Sequence, residues 1–250
     1  MRLRLIRNAT LRVKLGGKLL LIDPMLDPAG AREPVEDTPN PRRNPLVELP
    51  EPPAIVVGGI DGIIVTHLHR DHLDATAIEL LPKDLPLFCQ PPDAQTLRGH
   101  GFSDVRPVDD AVDFDGLRIA RTAGQHGTGE IGAALAPVSG FALGGPGGLY
   151  VAGDTIWCDE VRAAIAEHRP AAIVVNAGGA RFLTGDPIVM TTDDVVAVAR
   201  HAPQARIIAV HLEAINHCLQ TRADLHQRLR DERLTDQVTV PEDGAEVPLS

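Results

Sequence analysis

The chain runs to 250 residues, 44% hydrophobic and 23% charged, with 34 acidic against 24 basic side chains and a formal net charge of -10. That length and balance suffice for a substantial buried core and exclude wholesale disorder, while the acidic excess argues against a protein that grips phosphate backbones with a basic face, so nucleic acid is not the expected partner. No uncharged apolar run reaches the roughly 18 residues of a membrane span, the N-terminal MRLRLIRNATLRV is unlike a signal peptide, and Cys89, Cys158 and Cys218 form no CxxC pair, which together predict a cytoplasmic protein away from membranes.

In chain order, residues 2–7 and 10–22 read as strands, the second broken by the Gly16-Gly17 turn and ending in Ile22-Asp23-Pro24. Residues 27–53 are rich in proline and show neither helical nor strand period, so they read as a long surface loop of the kind that forms a lid or stays disordered. A strand at 62–66, a helix over 73–81, the strand PLFCQ and a helix over 92–100 follow as one alternating passage. From 104 to 123 the pattern is short strands, and GFALGG and GLYVAGD form a further pair joined by Gly145-Pro146-Gly147. The remainder alternates: helix 159–168, strand AAIVVNA, helix 193–201 capped by Thr191 or Thr192, strand RIIAVHL, helix 221–231 and a last strand near QVTV. Two strand-rich groups, each leading into strand-helix alternation, predict an α/β protein built as a four-layer αββα sandwich, one domain spanning residues 1–250.

The stretch VTHLHRDHLD places His67, His69, Asp71 and His72 at the end of an apolar strand. If the strand direction persists, alternate residues share a face, so His67 and His69 reach one cation, while Asp71 and His72 follow where the chain turns into a helix. Neutral imidazole and carboxylate are the donors that zinc and its neighbours in the first transition series accept. Such a site should be completed from other strand ends, and three carry ligands: His126 in the glycine-rich AGQHGTGE, Asp154 after GLYVAG, and His211 after RIIAV. His100, the rival to His126, lies near a helix end and suits a structural role.

This order of residues, HLHRDH followed by His126, Gly153-Asp154-Thr155 and His211, resembles the metallo-β-lactamase superfamily, and the match spans nearly the whole chain. The resemblance implies that His67, His69 and His126 hold one metal, Asp71, His72 and His211 a second, and that Asp154 bridges them. Within the superfamily the opening strands are most similar to the group containing L-ascorbate-6-phosphate lactonase, although Asn8 stands where relatives often carry a histidine. The implied cofactors are two divalent ions, zinc first, with manganese or iron as alternatives. Two cations about 3.5 Å apart lower the pKa of a shared water, so the expected activity is hydrolysis of a small, anionic ester or lactone by the hydroxide so formed. Asp71 is expected to orient the nucleophile and Asp154 to serve both metals.

Around this set, Asp23, Asn176, Glu213 and His217 are candidates for contacts to substrate or to the ligands. Glu213 and His217, four residues apart in HLEAINHC, would share one helical face; Asn176 would donate to substrate; Trp157 would wall the pocket; and Arg42 or Arg43 would clamp an anionic group. A small-molecule substrate is the expected partner, and a homo-oligomer is compatible with the chain. The alternatives are a phosphodiesterase or nuclease of the same fold, a diiron redox enzyme, which would need a carboxylate in place of His69, and a metal-binding protein without activity.

Overall fold

The computed structural model describes residues 1–249. In chain order the strands are β1 (Arg2–Arg7), β2 (Thr10–Leu15), β3 (Lys18–Ile22), β4 (Gly62–Val65), β5 (Leu87–Cys89), β6 (Val105–Pro107), β7 (Ala111–Phe114), β8 (Leu117–Ala123), β9 (Ser139–Leu143), β10 (Leu149–Val151), β11 (Ala172–Asn176), β12 (Arg206–Val210), β13 (Val238–Thr239) and β14 (Glu246–Pro248). The helices are α1 (Pro53–Val56), α2 (Ala75–Leu80), α3 (Ala94–Gly99), α4 (Gly129–Leu135), α5 (Asp159–His168), α6 (Thr192–His201) and α7 (Arg222–Glu232).

The strands form two seven-stranded sheets in the orders β14-β1-β2-β3-β4-β5-β6 and β13-β12-β11-β10-β9-β8-β7. Each sheet is antiparallel in its hairpin-linked part (β1-β2-β3, β7-β8-β9-β10) and parallel where strand-helix alternation forces a crossover (β3-β4-β5-β6, β10-β11-β12-β13). Gly16 and Gly17, both at positive φ (58° and 81°), close the two-residue turn that pairs Leu15 with Lys18, a conformation other residues adopt at a cost. Apolar side chains from both sheets, Leu5, Val13 and Phe88 from one and Phe141, Val174 and Ile208 from the other, meet in a shared core. The outer faces are covered by α1–α3 on the first sheet and by α5–α7 on the second, so the expected four-layer αββα arrangement is the one observed.

The direction of the strands decides where the chemistry sits. β1, β3 and β4 point the same way in the first sheet, and β8, β10, β11 and β12 do so in the second. The residues after their carboxyl ends therefore gather along one edge, the location where open α/β sheets hold ligands.

Some boundaries differ from expectation. The helix read over 73–81 starts at Ala75 with Asp74 as its cap, because the amides of His72 and Leu73 turn back to the His69 carbonyl first. The helix over 92–100 begins as a 3-10 turn through Pro91–Asp93. Thr191, not Thr192, caps α6, in a reciprocal box with Asp194. Helix α4 lies in what reads as glycine-rich loop, and β14 was not expected. The proline-rich segment is ordered: Arg32 and Asn44 pair across it, and Asn44 is buried.

Candidate metal centre

Strand β4, GIIV, is buried along its length and continues into Thr66 and His67, so the motif begins inside the protein. His67 and His72 are buried, and His69 and Asp71 are half-buried at the edge of a cavity. The seven expected ligands converge. His67, His69, His126 and Asp154 form one group and Asp71, His72, Asp154 and His211 another, the donor atoms of each lying within 4.8 Å of one another. Asp154 belongs to both. Its Oδ2 is 3.2 Å from His72 Nε2, 3.5 Å from His126 Nε2 and 3.9 Å from His67 Nε2, and its Oδ1 is 3.7 Å from His211 Nε2.

These spacings fit a cation. Two donors on a tetrahedral ion with bonds of about 2.0–2.1 Å lie about 3.3 Å apart. Buried polar atoms are almost always hydrogen-bonded, yet His67 Nε2, aimed into the cluster, has no hydrogen-bond partner among the described residues. The far sides of the rings, by contrast, are held. Asp23 Oδ2 lies 2.8 Å from His72 Nδ1, the Ile188 carbonyl accepts from His126 Nδ1 at 2.8 Å, and Thr66 Oγ1 sits 3.1 Å from His67 Nδ1 while donating to Asp23 at 2.7 Å. Asn176 Nδ2 donates to Asp154 Oδ1 at 2.6 Å. Such partners fix tautomer and ring angle.

Burial alone would raise the Asp154 and Asp71 carboxyls, but the facing imidazoles of His72 and His211 hold both well below the usual carboxylate range. Burial, reinforced by neighbouring His72, drives His67 well below an ordinary histidine. Although burial alone would lower them, His72 and His211 are raised well above an ordinary histidine by the facing Asp154, so a divalent ion, which takes anionic oxygen and neutral nitrogen, would release protons from these two rings on binding.

The other expected residues fall out unevenly. Asp23 sits on His72, as a ligand-orienting carboxylate should. Asn176 faces Asp154 instead of the cavity, because β11 lies beside β10 in register and the two strand ends meet. Glu213 and His217 share no helical turn: Glu213 adopts φ +62° and receives Arg222 Nη1 at 2.6 Å, whereas His217 is buried and lines the cavity. Trp157 stacks on the Arg162 guanidinium at 4.4 Å, outside the cavity. Arg43 lines the cavity paired with Glu33; Arg42 does not line it. His100 is exposed at the end of α3. Asn8 donates through Nδ2 to the Asp71 carbonyl at 3.0 Å. Thr66, the Ile188 carbonyl and Cys218, whose sulfur lies 3.3 Å from His211 Nδ1, were not foreseen; a lone threonine, a carbonyl and a cysteine carry no motif.

The cavity above the cluster holds about 650 Å³. The proline-rich segment supplies Arg32, Val35 and Asn44 to its wall, α4 supplies Leu135, and Phe182, Ile188 and Ile215 complete an apolar lining.

A family description, the β-lactamase superfamily domain, matches residues 19–212. The chain is 38% identical to the UPF0173 protein YddR of Bacillus subtilis over 244 residues, covering 96% of each. Among solved structures it superposes on a possible metal-dependent hydrolase from Veillonella parvula (TM-score 0.93, 33% identity, 99% of this chain and 98% of that one). It superposes equally on an isothiocyanate hydrolase from Delia radicum gut bacteria (TM-score 0.94, 36% identity, 99% of each chain).

Proposed function

The chain belongs to the β-lactamase superfamily and is a metal-dependent hydrolase of that fold, and we propose that it works with two divalent cations on a small ester or lactone. The observation that carries this reading is the pair of donor clusters sharing Asp154 at the floor of a cavity of about 650 Å³. Zinc is the first candidate for an imidazole and carboxylate set, with manganese or iron as alternatives. Bound there, the cations would supply Lewis acidity and make water nucleophilic at neutral pH.

The chain's own groups do the rest. Asp71, ionised and held by Asn8 through its backbone, orients the attacking water and accepts its proton. His67, His69 and His126 form the first donor set, Asp71, His72 and His211 the second, and Asp154 faces both. His217 lines the cavity with a mostly buried ring and hydrogen-bonds the substrate. The cavity suits a drug-sized molecule, not a polymer. Of its three arginines, Arg32 pairs with Asp27 and Arg43 with Glu33, which leaves exposed Arg70 to meet an anionic group of the kind the lactonase-like resemblance calls for. One cation of that sort does not serve a nucleic-acid backbone. The cysteines are all unpaired, which supports a reducing compartment such as the cytoplasm.

A second reading has its own support. The walls offered by Val35, Leu135, Phe182, Ile188 and Ile215 are apolar, and the isothiocyanate hydrolase is among the similar structures; an isothiocyanate is a compact apolar electrophile that water attacks at its central carbon. The test is metal analysis of the protein loaded with zinc, manganese or iron, followed by a panel of lactones, carboxylic esters, phosphodiesters and isothiocyanates. We expect turnover of a lactone or ester, abolished by Asp154→Ala; turnover confined to isothiocyanates selects the second reading, and a metal-replete protein inert toward the whole panel removes both.

A further inference from the structure

His211 reaches the donor cluster through Nε2, which lies 3.2 Å from Asp71 Oδ2 and 3.7 Å from Asp154 Oδ1. Its Nδ1 therefore points the opposite way. For Nε2 to offer a lone pair to a cation, the ring proton must sit on Nδ1, and that proton needs an acceptor. For His72 the acceptor is the Asp23 carboxylate and for His126 the Ile188 carbonyl. For His211 it is the sulfur of Cys218, 3.3 Å away and buried.

The backbone is shaped to permit this approach. The Cys218 amide donates to the Ile215 carbonyl at 3.1 Å, and the Gln220 amide to the Gly178 carbonyl at 3.0 Å, so the segment after His211 folds back against the end of β11. Gly178 stands in the gap: a Cβ there would lie 2.3 Å from the His211 carbonyl oxygen and 2.9 Å from the Cys218 sulfur. Any side chain at that position would force the His211 carbonyl, Cys218 or both to shift.

We propose that Cys218 is a positioning residue for the Asp71, His72, Asp154 and His211 site, its sulfur accepting the His211 Nδ1–H and so fixing the tautomer and ring angle that present Nε2 to the cation. This rests on reading the cluster as a two-cation centre. Cys218 touches neither substrate nor cation; its effect passes through His211, and it concerns one of the two donor groups and not the other.

The test is a Zn²⁺ titration of metal-stripped wild type, Cys218→Ala and Cys218→Ser against a chromophoric chelator, with the thermal midpoint of each metal-stripped protein measured alongside. In Cys218→Ala one equivalent should bind as in wild type and the other about 10- to 100-fold more weakly, the usual cost of losing such a partner. Cys218→Ser, whose hydroxyl can accept the same proton, should recover most of that loss, with stripped midpoints alike in all three. Wild-type affinity for both equivalents in Cys218→Ala overturns the inference. So does an equal loss at both sites with a lowered stripped midpoint, since that is a packing defect. Wild type holding fewer than two zinc ions overturns the two-cation reading, and this inference with it.

Discussion

His217 shows how much one side chain's surroundings decide. Its ring is 7% exposed, its Nδ1 has no partner among the described residues, and burial pulls its pKa down to about 4. A histidine whose folded pKa lies below its unfolded value near 6.5 binds fewer protons folded than unfolded in the window between. The stability it lends is whole above pH 6.5 and is lost as the pH falls toward 4. A shift of this size corresponds to roughly 3 kcal/mol, so urea unfolding of wild type should lose up to about that much more than His217→Gln between pH 7 and pH 4. Parallel curves for the two proteins would mean that the ring is hydrated and not held neutral by burial. Glu213, four residues away in the same segment, illustrates the converse: its positive φ turns it out onto Arg222, so proximity in sequence gives it no part in the cluster.

At the scale of elements, the proline-rich segment is the one whose character was least predictable. Proline removes amide donors and resists helix and strand alike, so such a stretch holds a shape only if other elements satisfy its carbonyls. Two buried side chains do this. Arg7, fully buried at the end of β1, donates to the carbonyls of Val47, Met25 and Asp27. Asn216, also fully buried, receives the Val35 amide at 3.0 Å, donates to the carbonyls of Val35 and Asn40, and exchanges bonds with Asn44. Asn216 sits between Ile215 and His217, which line the cavity, so the wall is tied to the chain that follows His211. Asn216→Ala should cost about 2 kcal/mol or more from its lost buried bonds. It should also open residues 35–44 to limited proteolysis and raise KM more than it lowers kcat; an unchanged cleavage pattern would detach the wall from Asn216.

For the whole molecule, the centre is a junction between the two sheets: His67, His69, Asp71 and His72 follow the end of β4, while His126, Asp154 and His211 follow β8, β10 and β12. A cation held by both groups ties the sheets together and stabilises the fold by mass action, about 4 kcal/mol at a thousandfold excess over Kd. Chelation should therefore abolish turnover and lower the thermal midpoint by several degrees, both restored on reloading; a midpoint indifferent to metal would leave the sheets joined by their apolar core alone. The amino-acid sequence by itself determined the seven converging residues and the strand ends that carry them, because ligand chemistry and the periods of strand and helix are written in near neighbours. It also determined the layered class, through the order of its hairpins and crossovers. Only the tertiary structure decided that Asn176 serves Asp154, that Trp157 leaves the cavity for Arg162, that Cys218 backs His211, and that Leu135, Phe182 and Ile188 wall the pocket. Those pairings join residues far apart in the chain, and they are set by sheet register and by which faces pack, properties of the assembled core that no local stretch encodes.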